Sequence, residues 1–275
     1  MKSIYKVLVL IILVSIIMQA NSGIWVYAYT DLPQLPPTQL RVEAKDEDKP
    51  PIGYNEFDKY YVDVKWNVEF TDSFIVGKYL NIYLQEVPKA YRPSTTRKLK
   101  ERDISGNLSS FRLKELNSGT IYYLDMTAYH THANESTIYS SPESVPSNRV
   151  KVLTDISINA YSHGTNQIKI EWDDVWDTTG RIDYKLYISE NDSFTNTQPI
   201  YIGNPQIGEG RAVTINETSG KLEYIHTVRD AGRVYYIRIE PDLGDDEIKR
   251  TSYTRTVTAC SYILVKTSKI STSDT

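Results

Sequence analysis

Residues 60–66 read Tyr-Tyr-Val-Asp-Val-Lys-Trp, and residues 168–172 read Ile-Lys-Ile-Glu-Trp. Each stretch alternates apolar and polar residues and ends on a tryptophan, which predicts a β-strand with one face in a core. Trp66 and Trp172 lie 106 positions apart (172 − 66), about the length of one sandwich module. The repeated strand therefore predicts two β modules in tandem.

Alternation with a period of two extends along the rest of the chain, and no stretch shows a long 3.6-residue period. The run 122–128, for example, places Leu124 and Met126 on one side and Asp125 and Thr127 on the other. The other predicted strands are 40–44, 80–84 and 150–152 in the first half, and 156–160, 182–188, 211–215, 222–228 and 235–239 in the second. The predicted fold class is all-β.

The composition agrees with a folded β protein. The chain has 275 residues, enough for two cores, with 40% hydrophobic and 24% charged residues. It contains 22 tyrosines against 5 phenylalanines, and strands favour tyrosine because its ring packs on a sheet while its hydroxyl reaches water.

Residues 1–28 have the features of a secretory signal. Lys2 and Lys6 precede an apolar run over 7–17, and 26–28 offers a cleavage site ending in alanine. No cysteine lies directly after the run, which excludes a lipoprotein anchor. We expect a secreted protein or one on the extracellular face of the envelope, and the isoleucine-rich signal and lack of disulfides favour a bacterial source. In the alternative, an uncleaved signal anchors the chain, and this segment is its only contact with the membrane.

Four features of the first half occur together: Pro36-Pro37 before the first strand, Trp66, the stretch Leu116-Asn117-Ser118-Gly119-Thr120-Ile121-Tyr122, and Ser147-Asn148-Arg149-Val150 before Thr154. In combination they resemble the fibronectin type III family, a seven-stranded immunoglobulin-like sandwich. The resemblance covers residues 34–154. It implies that Trp66 lies in the core and that Tyr122 is a tyrosine corner, whose hydroxyl bonds to upstream backbone.

A second, weaker match covers residues 155–267. Trp172 is in place and Gly232-Arg233-Val234-Tyr235 resembles the corner element, but the threonine is missing, so Tyr235 and Tyr236 compete for the corner role and we favour Tyr235. The join near 153–156 lacks linker composition, which predicts a semi-rigid connection. Residues 268–275 form a polar tail.

No catalytic constellation is found in the sequence. It has no G-x-S-x-G, H-E-x-x-H or P-loop motif, so we predict a protein that is not an enzyme and takes no cofactor. Without residues 1–28 and their two lysines, 29 basic residues face 35 acidic ones, which disfavours nucleic-acid binding. The single cysteine, Cys260, is expected to be a small buried residue in a strand.

Two groups of residues raise the question of a metal. His130 and His132 alternate at the end of a strand, and we read them as exposed polar residues rather than ligands because no third ligand lies nearby. Acidic residues cluster in two predicted loops of the second module. A solvated acidic rim is the expectation and a calcium site the alternative. These residues are Asp173, Asp174 and Asp177 in one loop, and Asp242, Asp245, Asp246 and Glu247 in the other.

Tyrosines on neighbouring predicted strands form a candidate contact surface. Tyr79 and Tyr83 point outward on one strand, and Tyr123 and Tyr129 point outward on the other. They either cover one another across the strands or stack on a sugar or a partner protein.

The sequence thus predicts a non-catalytic binding or spacer protein that contacts a protein or polysaccharide at the cell envelope. One alternative is a truncated amino-terminal part of a larger surface enzyme or adhesin, and a second is an accessory carbohydrate-binding module. Fold alone does not decide among them.

Overall fold

A computed structural model describes residues 34–43, 52–56, 59–70, 75–87, 97–134, 137–203, 213–243 and 256–261. Over these ranges the regular elements are antiparallel β-strands, which confirms the predicted all-β class. Within the same ranges no helix is long and apolar enough to span a membrane. The predicted signal (1–28), the polar tail (268–275), Asp245, Asp246 and Glu247 lie outside the described residues.

The first module consists of two facing sheets. In one, β3 (Lys59–Asn67) pairs with β6 (Ser110–Leu116) on one edge and with β1 (Thr38–Val42) and β2 (Ile52–Asn55) on the other. The second sheet has five strands. Its order is β5 (Lys98–Ser105), β4 (Ile75–Glu86) and β7 (Ile121–Asn134), with β8 (Thr137–Ser140) and β9 (Val150–Leu153) sharing the far edge of β7.

The second module repeats this plan. One sheet has the order β10 (Ile158–Ser162), β11 (Gln167–Asp173), β17 (Lys221–Thr227), β16 (Thr214–Ile215). The other has the order β15 (Ile200–Ile202), β14 (Asp183–Ser189), β18 (Val234–Asp242), β19 (Thr256–Cys260). A short hairpin of β12 (Trp176–Asp177) and β13 (Gly180–Arg181) connects them. This pairing order is that of an immunoglobulin-like, fibronectin type III-like sandwich.

Each module has its own apolar core between its sheets. Trp66 is 1% exposed and Trp172 is fully buried, as the alternation of β3 and β11 requires. Val62 and Leu124, from the two sheets of the first module, belong to the first core, and Ile170 and Ile237, from the two sheets of the second, belong to the second. Burying a large apolar side chain stabilises the fold by about 1.5–3 kcal/mol, so these alternating residues drive sheet-on-sheet packing.

At both predicted tyrosine corners, the tyrosine hydroxyl hydrogen-bonds to backbone five residues upstream. The hydroxyl of Tyr122 accepts a 3.1 Å hydrogen bond from the amide of Asn117, and burial raises the pKa of Tyr122 to about 12. The hydroxyl of Tyr235 accepts from the amide of Asp230 at 3.3 Å and donates to its carbonyl at 3.0 Å. Tyr236 alternates with Tyr235 on β18 and is only half-buried, so the hydroxyl that closes this turn belongs to Tyr235.

Backbone and side-chain contacts cross the predicted module boundary. Val87, Ile121 and Leu153, from the first module, pack within the core cluster of the second. The amide of Gly119 donates a 3.0 Å bond to the carbonyl of Asp155. The boundary at 154/155 stays a prediction, but the strands on its two sides share apolar contacts.

Polar contacts at the join add to this packing. The hydroxyl of Thr154 donates to the carbonyl of Asn117 at 2.7 Å and accepts from the amide of Thr120 at 2.9 Å. The ammonium of Lys151 lies 2.8 Å from the carboxylate of Asp177, and both side chains are mostly buried. The bonds of Thr154 therefore hold the last residue of the first module to the turn between β6 and β7, and the pair of Lys151 and Asp177 crosses the predicted boundary.

Cys260 departs from its prediction. It lies in β19 as expected, but it is exposed rather than buried. Its neighbour Ala259 is the residue of this pair that turns into the core, and the period of two then directs Cys260 outward.

Candidate contact face

The solvent-facing side of the five-stranded sheet, which we call the outer face, holds all four predicted contact tyrosines. In the register of β4 and β7, Tyr79 is opposite Tyr129, Tyr83 is opposite Asp125, and Gln85 is opposite Tyr123. Because Leu80, Leu84, Leu124 and Ala128 point into the core, these residues point the other way. All four tyrosines are half-buried.

Tyr79 and Tyr129 form a cross-strand pair at one end of the outer face. Their ring centroids are 5.1 Å apart with an interplanar angle of 20°. The Tyr79 ring lies over Gly77, where a Cβ would come within 2.6 Å of it. The Tyr129 hydroxyl donates to Asp103, and burial together with this carboxylate raises the pKa of Tyr129. These two rings pack mainly against each other and the sheet.

Tyr83 is held from two directions. The guanidinium of Arg97 lies over its ring, 3.4 Å from the centroid, and its hydroxyl donates a 2.8 Å hydrogen bond to Glu143. Burial and this carboxylate raise the pKa of Tyr83. Both the ring position and the hydroxyl direction are therefore fixed.

Glu143 reaches over β7 and serves as a common acceptor. Its carboxylate accepts from Asn81 at 2.8 Å and from Thr127 at 2.6 Å, in addition to Tyr83. Burial opposes its ionisation, but the hydrogen bonds from Thr127, Tyr83 and Asn81 outweigh that effect and lower its pKa. Glu143 is therefore a carboxylate over most of the pH range.

Asp125 lies beneath two arginines. Its side chain is 5% exposed, with Arg97 Nε at 2.7 Å from Oδ1 and Arg149 Nη2 at 3.2 Å from Oδ2. The Arg149 guanidinium also lies 5.7 Å from the centroid of the Tyr123 ring, and Tyr123 touches the second core cluster. Outward-pointing Asp125 is buried because the arginines come from outside its own strand, which periodicity does not reveal.

The two histidines are buried, so their predicted exposure is wrong. His130 and His132 are 4% and 6% exposed, with ring centroids 4.5 Å apart. His130 Nδ1 lies 3.2 Å from the Oε1 of Gln34. Their even positions on β7 direct them into the sandwich, and Gln34, in the lead-in before β1, contacts His130 there. No cluster of three metal-ligating side chains occurs among the residues that the structure describes.

The acidic residues of the first predicted loop bind protein groups. Asp173 accepts from the amide of Ser157 at 2.7 Å, and Asp174 pairs with Arg181 at 2.9 Å. Asp177 pairs with Lys151; burial opposes its ionisation, but the interactions with Lys151 and with Thr178 together outweigh burial and lower its pKa. These aspartates therefore bind groups of the protein itself and do not form the solvated acidic rim that the sequence predicted.

Asp242 does not lie in the predicted loop. It is the last residue of β18, and its carboxylate is 3.2 Å from the ammonium of Lys185 on the neighbouring strand β14. The strand runs beyond its predicted end at 239 because residues 240–242 pair with 183–185.

No protein-family model matches the sequence, and no curated protein matches it. Among solved structures, the chain is similar to the FN1–FN3 domains of chicken CNTN1, at 14% sequence identity and a TM-score of 0.30, over 84% of this chain and 67% of that chain. The pairing order of the strands described above defines the fold class.

Proposed function

We propose that this chain is an exported, non-catalytic binding and spacer protein whose two modules act as one semi-rigid unit at the cell surface. The observation that carries the proposal is the join. Three apolar residues of the first module, Val87, Ile121 and Leu153, pack in the second core, and such packing resists the free rotation that a flexible linker permits. A fixed join holds binding surfaces at a set separation.

The outer face is the proposed contact surface for a protein or glycan partner. Its arginines, carboxylates and tyrosines are ordered before any partner arrives, through the contacts of Arg97 and Glu143. Ordering in advance reduces the entropy lost on binding. Tyr83 and Tyr123 lie among charged groups and are better placed to take part than Tyr79 and Tyr129, which pack on each other.

A pull-down from envelope and extracellular fractions tests the proposal, with residues 29–275 as bait and with and without calcium. We expect a saturable partner whose capture falls when Tyr83→Ser and Tyr123→Ser are combined. Tyr161→Ser, at an exposed tyrosine of the second module, is the matched control and should leave capture unchanged. Loss of folding in the double variant, seen as loss of near-UV circular dichroism, would assign the tyrosines to packing instead. Equal capture by the parent and a well-folded double variant would remove the outer face from the proposal.

A further inference from the structure

A central part of the outer face brings together tyrosine rings, arginines and carboxylates. We call it the Asp125 cluster; its members are Tyr83, Arg97, Tyr123, Asp125, Glu143 and Arg149. Asn81, Asp125 and Thr127 point outward and yet are buried. They form a buried polar layer, and the charged side chains that cover this layer meet the solvent.

The covering side chains are held in place. Arg97 is fixed by Asp125 below and by the ring of Tyr83, and Glu143 is fixed by three donors. Long side chains usually lose much rotamer freedom on binding, and here that loss has occurred on folding. A weakly binding ligand such as a sugar gains most from this.

The charges of the Asp125 cluster cancel. Arg97 and Arg149 are balanced by Asp125 and Glu143, and the chain as a whole carries a formal charge of −4. A polyanion would meet no net positive charge here, and a polycation no net negative charge. Charge balance therefore favours a neutral ligand with many hydrogen-bonding groups.

The groups that remain accessible fit vicinal hydroxyls. The side chain of Arg149 is 48% exposed and its ion pair with Asp125 uses Nη2, so its guanidinium edge also faces solvent. Sugar hydroxyls both donate and accept, so a pair of them can bond an arginine edge and a carboxylate together. Arg97 covers Tyr83, and its planar guanidinium is thus the flat surface offered to a sugar ring.

From these observations we propose that the Asp125 cluster binds a neutral polysaccharide, which names the ligand of the contact surface and rests on the proposed function. The test uses residues 29–275 in affinity electrophoresis through gels containing hydroxyethylcellulose, β-1,3-glucan, mannan, galactan or glycol chitin. Carboxymethylcellulose is the charged counterpart of the first polymer. We expect retardation by at least one neutral polymer, insensitive to added salt.

Variants locate the site. Arg97→Gln and Glu143→Gln should each raise the dissociation constant by about tenfold or more, because each replaces a charged hydrogen-bonding group with a neutral one. Arg149→Gln, at a more exposed position, should do the same with little risk to folding. Arg233→Gln, which disrupts an exposed ion pair with Glu190, is the control and should bind as the parent chain does. Unchanged near-UV circular dichroism shows that a variant is folded.

Three results would overturn this proposal. They are binding to carboxymethylcellulose alone, no binding to any neutral polymer, and neutral binding that survives all three variants. Capture of a protein partner in the envelope pull-down together with any of these would leave the proposed binding function standing. Failure of both experiments would remove the binding function and leave the spacer role.

Discussion

Ala128 and Ser144 exchange two hydrogen bonds: the amide of Ala128 donates to the hydroxyl of Ser144 at 2.9 Å, and the amide of Ser144 donates to the carbonyl of Ala128 at 2.8 Å. Ser141 repeats the exchange with His130, and Ser147 repeats it with Met126. The segment 141–147, which we call the serine segment, therefore advances three residues for every two residues of β7. A serine hydroxyl replaces the backbone acceptor, so the edge of β7 between β8 and β9 is satisfied without a regular strand.

Replacing Ser144 should destabilise the first module. Ser144→Ala leaves the buried amide of Ala128 without its hydroxyl acceptor, and an unsatisfied buried donor costs about 1–3 kcal/mol. Urea unfolding followed by circular dichroism measures the loss. Ser147→Ala, at a half-buried serine, is the matched control and should cost less. Equal free energies of unfolding for Ser144→Ala and the parent would mean that water takes the place of the hydroxyl.

The structure of the serine segment could not be predicted from the sequence. The spacing Ser141, Ser144, Ser147 has a period of three and contains prolines, so it matches neither the strand nor the helix period. Its partners lie 11 to 21 residues upstream, and nothing local indicates that hydroxyls will take the acceptor role. Alternation, in contrast, was sufficient to place Trp66 and Trp172 in their cores.

The outer face could be predicted only in part, because alternation describes each strand and not the residues that cover it. Alternation within a strand predicts the direction of Tyr83 and Asp125, and the register of β4 and β7 brings them together. It does not predict what lies above them, because Arg97 and Arg149 come from outside both strands. The short strand β15 was not predicted either, since its three residues are too few to show a period.

Alkaline pH should destabilise the first module through Tyr122. Its pKa is raised by burial to about 12, whereas in the unfolded chain a tyrosine ionises near pH 10. The unfolded state therefore releases this proton first. The stabilisation that Tyr122 contributes to the folded state is complete below about pH 10 and is lost as the pH rises to about 12. Two pKa units correspond to about 2–3 kcal/mol.

Tyr122→Phe isolates this contribution. It should lower the free energy of unfolding at pH 7 by about 1 kcal/mol through the lost hydrogen bond to Asn117, and it should flatten the decline between about pH 10 and 12. Urea titrations at several pH values measure both effects. Tyr201→Phe, at an exposed tyrosine, controls for the loss of a phenol. An identical alkaline decline in the parent and Tyr122→Phe would contradict the assignment.

Gly119 should be required for the join. Its φ of +52° lies in the left-handed region, and a Cβ there would come 2.5 Å from the Cβ of Asp173 in the second module. Gly119→Ala should therefore cost backbone strain of about 1–2 kcal/mol and also push the modules apart. Small-angle X-ray scattering should show a broader distribution of intramolecular distances.

Gly220 provides the matched control for that change. Its φ is +67°, but nothing lies within 4 Å of the position of a Cβ, so Gly220→Ala should show the strain without the altered scattering. If both variants scatter as the parent chain does, the contact between Gly119 and Asp173 does not position the modules.

The ion pair of Asp63 and Arg112 should be the costliest to break. Asp63 is fully buried, and Arg112 binds it in a bidentate manner at 2.7 and 2.6 Å while its guanidinium lies 4.1 Å from the Tyr61 ring centroid. Arg112→Met leaves a buried carboxylate without its arginine, which costs about 3–5 kcal/mol. Urea unfolding at pH 7 measures this loss.

The double variant Asp63→Leu/Arg112→Met separates the cost of an isolated charge from the worth of the pair. Replacing both partners by apolar side chains removes the charge together with its counter-ion, so this variant should be more stable than Arg112→Met alone. Arg233→Met, in an exposed pair with Glu190, should unfold at nearly the parent urea concentration because solvent screens that pair. A double variant less stable than Arg112→Met would mean that packing around Tyr61, rather than the buried charge, accounts for the loss.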